Sequence, residues 1–273
     1  MMPDHFGPRF AIGPALVLAA EATTRLRVGS FVYDNDFRHP ALLAQEAATI
    51  DTLTDGRFDF GIGAGWLKRE YDAAGITFDR GQARVERLAE ALSIIKQLLT
   101  GEPVTFRGRF YQLEDLSAGF KPVQRPYPRL VIGGGGRRLL GLASEHADII
   151  SVMPRARADG SGLKDSDDTE GAFAEKIAWI EEAAGGRFTA IELNTLVQAV
   201  IVTNDVQGEA ERLSGEWQLP VNDVLGSPLL LIGSVEQIAA TLEQRRERLG
   251  ISSITVFEKD IDNFSGVISR LRH

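Results

Sequence analysis

The chain has 273 residues, 44% hydrophobic and 25% charged, with a net charge of −8 at pH 7. That is the composition of an ordinary globular protein, long enough for one α/β barrel or two smaller domains. The acidic balance, with no Lys/Arg cluster, argues against a nucleic-acid surface; the lack of cysteine excludes disulfides, Cys-ligated zinc and thiol catalysis and agrees with a cytoplasmic home; no apolar run approaches the roughly 20 residues of a membrane helix, and no signal-peptide pattern opens the chain.

In chain order, residues 13–24 read as an Ala/Leu-rich helix with Pro14 near its first turn, and 26–33 as an apolar strand followed by a polar loop from Asp34 to His39. Pro40 opens a helix whose Leu43, Ala47, Ile50 and Leu53 form one stripe and which Gly56 ends. In the strand 57–62, Phe58, Phe60 and Ile62 alternate with Arg57, Asp59 and Gly61; it breaks into Gly63-Ala64-Gly65-Trp66. The clearest helix is 80–100, with Val85, Leu88, Leu92, Ile95 and Leu99 in step before Gly101. Residues 104–106 and 110–113 suggest a hairpin, and the prolines of 121–128 an extended connector. Strand 129–133 runs into Gly133-Gly134-Gly135-Gly136-Arg137 and a helix, and 148–153 is the next strand. A mobile loop is expected over 155–170, then a helix with Phe173, Ile177 and Ile180 on one face, a strand over 193–203, a helix over 205–217 and an irregular stretch over 218–233. Ser234 to Gln237 is a capping box, 252–257 the last strand, and a short helix ends the chain.

Short apolar strands alternating with helices predict a parallel sheet covered by helices. The opening Met1–Phe6 adds the tail of a seventh strand, whereas a β/α barrel closes with eight. No internal repeat or linker divides the chain.

In a β/α barrel, ligands bind at the C-terminal strand ends. This sequence places there Asp4 and His5, then Phe31, Val32 and the loop to His39, then Gly63, Ala64, Gly65 and Trp66, then Gly133 to Arg137, then Met153. The alternating glycines of 61–65 are either a floor for a flat or phosphorylated ligand or a plain glycine-softened turn. Gly133, Gly134, Gly135, Gly136 and Arg137, at a helix N-terminus, suit a phosphate. A dinucleotide fingerprint fails because Arg138 stands at its third glycine. His5, on the rim with an acidic neighbour, is the candidate proton-handling group. His39 orders its loop, His146 is structural and His273 is terminal; no two have metal-ligand spacing. Glu70 and Tyr71 either line the pocket or, for Glu70, anchor the loop after Trp66.

Taken together, these residues resemble the bacterial luciferase-like family of flavin and deazaflavin oxidoreductases. The resemblance is carried by Asp4-His5-Phe6, Ala22 to Gly29, Arg38-His39-Pro40, Leu53 to Phe58, Gly61 to Trp66 with Glu70-Tyr71, Pro122-Val123-Gln124, and Ile132-Gly133-Gly134. It implies a TIM (β/α)8-type barrel over 1–273 with its cofactor at the C-terminal rim. Asn35 to Pro40 look closest to members that use coenzyme F420. The resemblance also implies a non-prolyl cis peptide at Phe31–Val32 against the deazaflavin ring. It puts the ring and phosphate tail at Gly63–Trp66 and Gly133–Arg137, and His5 at the reactive ring edge.

Two departures stand out. Trp66 occupies the place of a glutamate in the sugar-phosphate dehydrogenase branch, which counts against glucose-6-phosphate chemistry. By the resemblance, the family's first strand and helix are not in this sequence, so Met1 falls inside the second strand; either the recorded start is too late or the chain is truncated, and as it stands the expected barrel has two open edges. The resemblance therefore implies hydride transfer between F420 and a small organic substrate, in a homodimer. The alternatives are an FMN-dependent monooxygenase fed by a partner reductase, and a truncated barrel without catalysis.

Overall fold

A computed structural model describes residues 1–117 and 119–271; His273 lies outside the described residues. The chain forms two compact units, and each is taken by itself.

The first comprises Met1–Gly133, Glu145–Ile149 and Ala156–Gly162. Its elements are α1 (Ile12–Glu21), β1 (Val28–Gly29), β2 (Tyr33–Asp34), α2 (Pro40–Leu53), β3 (Phe58–Gly63), α3 (Lys68–Ala74), α4 (Gly81–Thr100), β4 (Val104–Arg107), β5 (Gln112–Leu116) and β6 (Arg129–Gly134). β3 is buried along its whole length and pairs in parallel with β1 and β2 on one side and β6 on the other. Burial on both faces is what a parallel strand under helices requires. The predicted alternation survives only as chemistry, since buried Asp59 is paired with Arg27 at 2.6 Å. The helix at 80–100 forms as its periodicity predicts, with Leu88, Leu92, Ile95 and Leu99 buried, and it packs on α2. The hairpin forms as antiparallel β4 and β5. α3 was not anticipated.

The strand expected over 26–33 is two short pieces. Between them Ser30 replaces the regular ladder, its hydroxyl donating to the Gly61 carbonyl and accepting from the Gly61 amide, both at 2.8 Å. Gly61 admits this approach because a Cβ there would collide with the Ser30 carbonyl. The Phe31–Val32 peptide is cis. Met2 forms a parallel bridge with Ser30, so the opening residues do run as a strand tail.

Several residues that carried the resemblance are structural clamps at the strands' N-terminal ends. Arg57 donates to the carbonyls of Ala20, Thr23, Leu26 and Thr54. Arg27 reaches the carbonyls of Gly56 and Phe58 as well as Asp59. Gln124 donates to the Asp51 carboxylate from both its amide groups and to the Phe58 carbonyl.

The second unit comprises Gly134–Ser144, Ile150–Arg155 and the chain from Leu163 onward. Its elements are α5 (Arg137–His146), β7 (Ile149–Val152), α6 (Glu170–Ala184), β8 (Glu192–Leu196), β9 (Ala199–Val202), α7 (Val206–Trp217), α8 (Val221–Gly226), β10 (Leu230–Gly233), α9 (Val235–Leu249), β11 (Ile251–Thr255) and α10 (Ile261–Leu271). The expected strand 193–203 is two strands in different sheets. The Val197 amide donates to Thr255 beside β11, and the next amide, of Gln198, donates to Leu229 beside β10, so the chain changes partner between adjacent residues. The stretch 218–233, expected to be irregular, holds α8 and the buried strand β10. The capping box at Ser234 forms as predicted.

The loop expected to be mobile over 155–170 carries fixed ties. In the first unit, Gly160 accepts from the Lys68 amide at 3.1 Å. In the second, Asp167 accepts from the Arg155 amide and guanidinium at 2.7–2.9 Å and lies 3.3 Å from Lys176; Asp167 and Lys176 are both about 1% exposed. Burial alone would raise the Asp167 carboxyl, but Arg155 and Lys176 outweigh it and hold it down to about 2. Asp167→Asn, which strands the buried ammonium, is expected to cost about 3 kcal/mol at neutral pH in urea unfolding. The difference should fade as pH falls from the ordinary aspartate range toward about 2, where the native carboxylate itself is protonated.

Candidate functional site

The glycine stretch ends β3 and turns toward α3. Val32 packs against this strand end, for a Cβ on Gly63 would sit 2.8 Å from its methyl group. Gly65 has φ +71°, and a Cβ there would overlap the Tyr71 hydroxyl and lie 2.5 Å from the Asp34 carboxylate. Glycine is therefore required at 65 on two grounds, conformation and space. Below the turn, buried Arg84 donates to the Ala64 carbonyl at 3.1 Å and the Gly65 carbonyl at 3.4 Å, with its guanidinium 3.9 Å from the Phe78 ring centre. The first unit thus sets Val32, joined to Phe31, against Gly63 at the strand end that runs on through Ala64 and Gly65 to Trp66.

His5 joins them. Its ring lies edge-on to Trp66, with centroids 6.2 Å apart and planes at 87°. Its Nδ1 is 3.0 and 2.9 Å from the two oxygens of Glu70, a residue in the first turn of α3. The acidic neighbour that drew attention to His5 in the sequence is not its partner. Asp4 binds the Arg38 guanidinium through both oxygens and accepts from the Asp34 amide at 3.1 Å. Glu70 lies 65 positions along the chain from His5. The sequence pointed to Glu70 only as a pocket-lining or loop-anchoring residue four positions after Trp66.

A second group, of which the sequence pointed only to Tyr71, lies directly under Gly65. Asp34 accepts the Tyr71 hydroxyl at 2.9 Å and the Asp36 amide at 2.9 Å. Burial is the largest influence on Asp34 and, with Asp36 and Asp4 nearby, pushes its carboxyl up to about 7 against the pull of those hydrogen bonds. Asp36 in turn is paired with Arg87 at 2.8 Å. His39 caps α2 by accepting from the Ala41 amide at 3.2 Å, and His146 Nδ1 lies 3.1 Å from Lys96 Nζ, so both serve structure.

Gly133 and Gly134 close β6, and Gly134 to Arg137 belong to the second unit. A Cβ on Gly135 would collide with the Met153 carbonyl, whereas one on Gly136 would meet open space. The Gly136 carbonyl accepts from Leu140 at 2.9 Å, which makes this glycine the lead-in to α5. Arg137 is largely exposed; it pairs with Glu182 at 2.8 Å and lies over the Trp179 ring.

Residues 1–164 match the family model described as luciferase-like monooxygenase. An F420-dependent glucose-6-phosphate dehydrogenase of Kineococcus radiotolerans is 40% identical over 194 residues, 64% of this chain and 56% of that protein. The match thus spans little more than half the length of that relative. An FMNH(2)-dependent dimethylsulfone monooxygenase of Pseudomonas putida is 28% identical over 272 residues, 89% of this chain and 73% of that protein. Among solved structures, an F420-dependent secondary alcohol dehydrogenase in complex with an F420-acetone adduct superposes with a TM-score of 0.76 at 21% identity, covering 99% of this chain and 89% of that one. The α/β fold is therefore that of luciferase-like enzymes. No described helix is long and apolar enough to cross a membrane.

Proposed function

This chain belongs to the luciferase-like monooxygenase family, and on that premise we propose that it is an oxidoreductase working with coenzyme F420 at the C-terminal end of β3. The observation that carries the reading is His5 set edge-on to Trp66 beside a strand end made of glycines. The residues present fit a flat ring. Gly63 and Gly65 put no side chain on the strand end, and Val32 closes one side of it. When bound, the deazaflavin supplies hydride chemistry. The chain's own residues seat it, orient it and handle the proton. Val32, Gly63, Ala64 and Gly65 form the seat, Arg84 fixes the turn by holding its carbonyls, and Trp66 shields the edge from water. His5 takes or returns the proton that accompanies the hydride.

As a separate proposal, Gly133, Gly134, Gly135, Gly136 and Arg137 form a phosphate-binding turn at the start of α5, supported by the open space at Gly136. Trp66, in place of the carboxylate of the sugar-phosphate branch, favours a small organic substrate other than glucose 6-phosphate. We read the protein further as cytoplasmic and homodimeric.

A second reading, an FMN-dependent monooxygenase served by a separate reductase, is favoured by the alignment of the FMNH(2)-dependent relative over most of the chain. Fluorescence titration of the purified protein with F420 and with FMN tests both. F420 binding at least tenfold tighter than FMN is the expected result. The reverse preference, with oxygen-dependent turnover, would replace the first reading with the second. Binding of neither would leave a barrel without catalysis.

A further inference from the structure

His5 meets a carboxylate on one ring nitrogen and an aromatic edge on the ring itself. A carboxylate accepts hydrogen bonds and cannot donate one when ionised, so the nitrogen facing it must carry the hydrogen. Both Glu70 oxygens lie within 3.0 Å of Nδ1, and the Glu70 side chain is only 12% exposed. Glu70 is itself held: its amide donates to Leu67 at 3.0 Å, and two residues earlier the Lys68 amide donates to Gly160 at 3.1 Å. The acid next to His5 in sequence, Asp4, is taken by Arg38.

We propose that Glu70 is a positioning residue for His5, whose carboxylate fixes the Nδ1–H tautomer and turns Nε2 toward the reaction as the atom that takes and returns the proton. A neutral imidazole left to itself favours hydrogen on Nε2, the arrangement in which that atom has no lone pair to accept with. Glu70 reverses this preference, and Trp66, edge-on at 87°, limits rotation of the ring about the bond to Glu70. No bond is made or broken by Glu70, and the proton moves only at Nε2. The inference rests on the reading of His5 as the proton-handling group.

The test needs no substrate. Nitrogen-15 NMR of the imidazole rings in the cofactor-free protein, titrated into the neutral form and assigned with His5→Gln, reports which nitrogen bears hydrogen. The wild-type protein is expected to show mainly Nδ1–H at His5, and Glu70→Ala to shift it mainly to Nε2–H. Glu70→Asp, which keeps the carboxylate, should restore part of the Nδ1–H signal. Affinity for F420 and for FMN should stay within about threefold in all three proteins. A wild-type spectrum dominated by Nε2–H overturns the proposal, and that single spectrum suffices if Glu70→Ala fails to fold. A tenfold loss of cofactor affinity in Glu70→Ala also overturns it, because Glu70 would then be a binding residue. If the wild-type protein shows Nδ1–H but binds neither cofactor, the cofactor reading fails and with it the role in proton transfer, while Glu70 still sets the tautomer of His5.

Discussion

Asp34→Asn is expected to stabilise the protein increasingly as pH rises, by about 4 kcal/mol at neutral pH relative to its effect below the aspartate range. In the unfolded chain Asp34 ionises at its ordinary value of 3.8; in the folded protein burial keeps the proton on up to about 7. A carboxyl with a raised native value supports folding while it is protonated in both states, and that support drains away as pH climbs from 3.8 through about 7. Each unit of displacement is worth about 1.4 kcal/mol. Asparagine keeps an acceptor for Tyr71 and cannot ionise, so the variant escapes the loss. Urea unfolding of both proteins at several pH values in this window reads the effect, and a stability difference that does not change with pH would show that Asp34 is not held protonated.

His5→Gln should lower the rate of hydride transfer by about 10²–10⁴-fold, the usual contribution of a positioned acid or base. Glutamine roughly preserves the size of the side chain and can still accept a hydrogen bond or donate one to Glu70, but it cannot shuttle a proton at neutral pH. His5 is partly exposed, at 31% of its side chain, so folding should change by less than about 1 kcal/mol. Single-turnover experiments that follow the cofactor's absorbance separate this from a binding defect. A fall of tenfold or less would remove His5 from the proton step.

Much of this molecule could be read locally. The stripe of α4, the capping box at Ser234, the hairpin and the strand of Phe58, Phe60 and Ile62 rest on near-neighbour patterns, and the structure has all four. His5 stood out because few histidines compete for the role. What the sequence hid depends on partners far along the chain. Val197 and Gln198 lie inside one continuous strand-like stretch, and nothing local says that their amides leave for different sheets. Ser30 interrupts a strand because its hydroxyl fits Gly61, a residue 31 positions away. Asp4 was the nearer acid and Glu70 the true partner of His5, a choice that Arg38 makes by occupying Asp4. For the group of Asp34, Asp36 and Tyr71 the sequence offered only Tyr71 as a pocket-lining residue, since a polar loop of the composition around Asp34 and Asp36 is ordinarily solvated.

The clamps made by Arg27, Arg57 and Gln124 sit at the N-terminal ends of the strands, whereas His5, Trp66 and Glu70 gather at the C-terminal end of β3. Arg27, Arg57 and Gln124, which are among the residues that carry the family resemblance, are thus anchors of the scaffold and stand apart from the rim. A lineage with this arrangement can drift in its substrate while keeping its signature. Anchors of this kind report architecture, and the substrate has to be read from the rim.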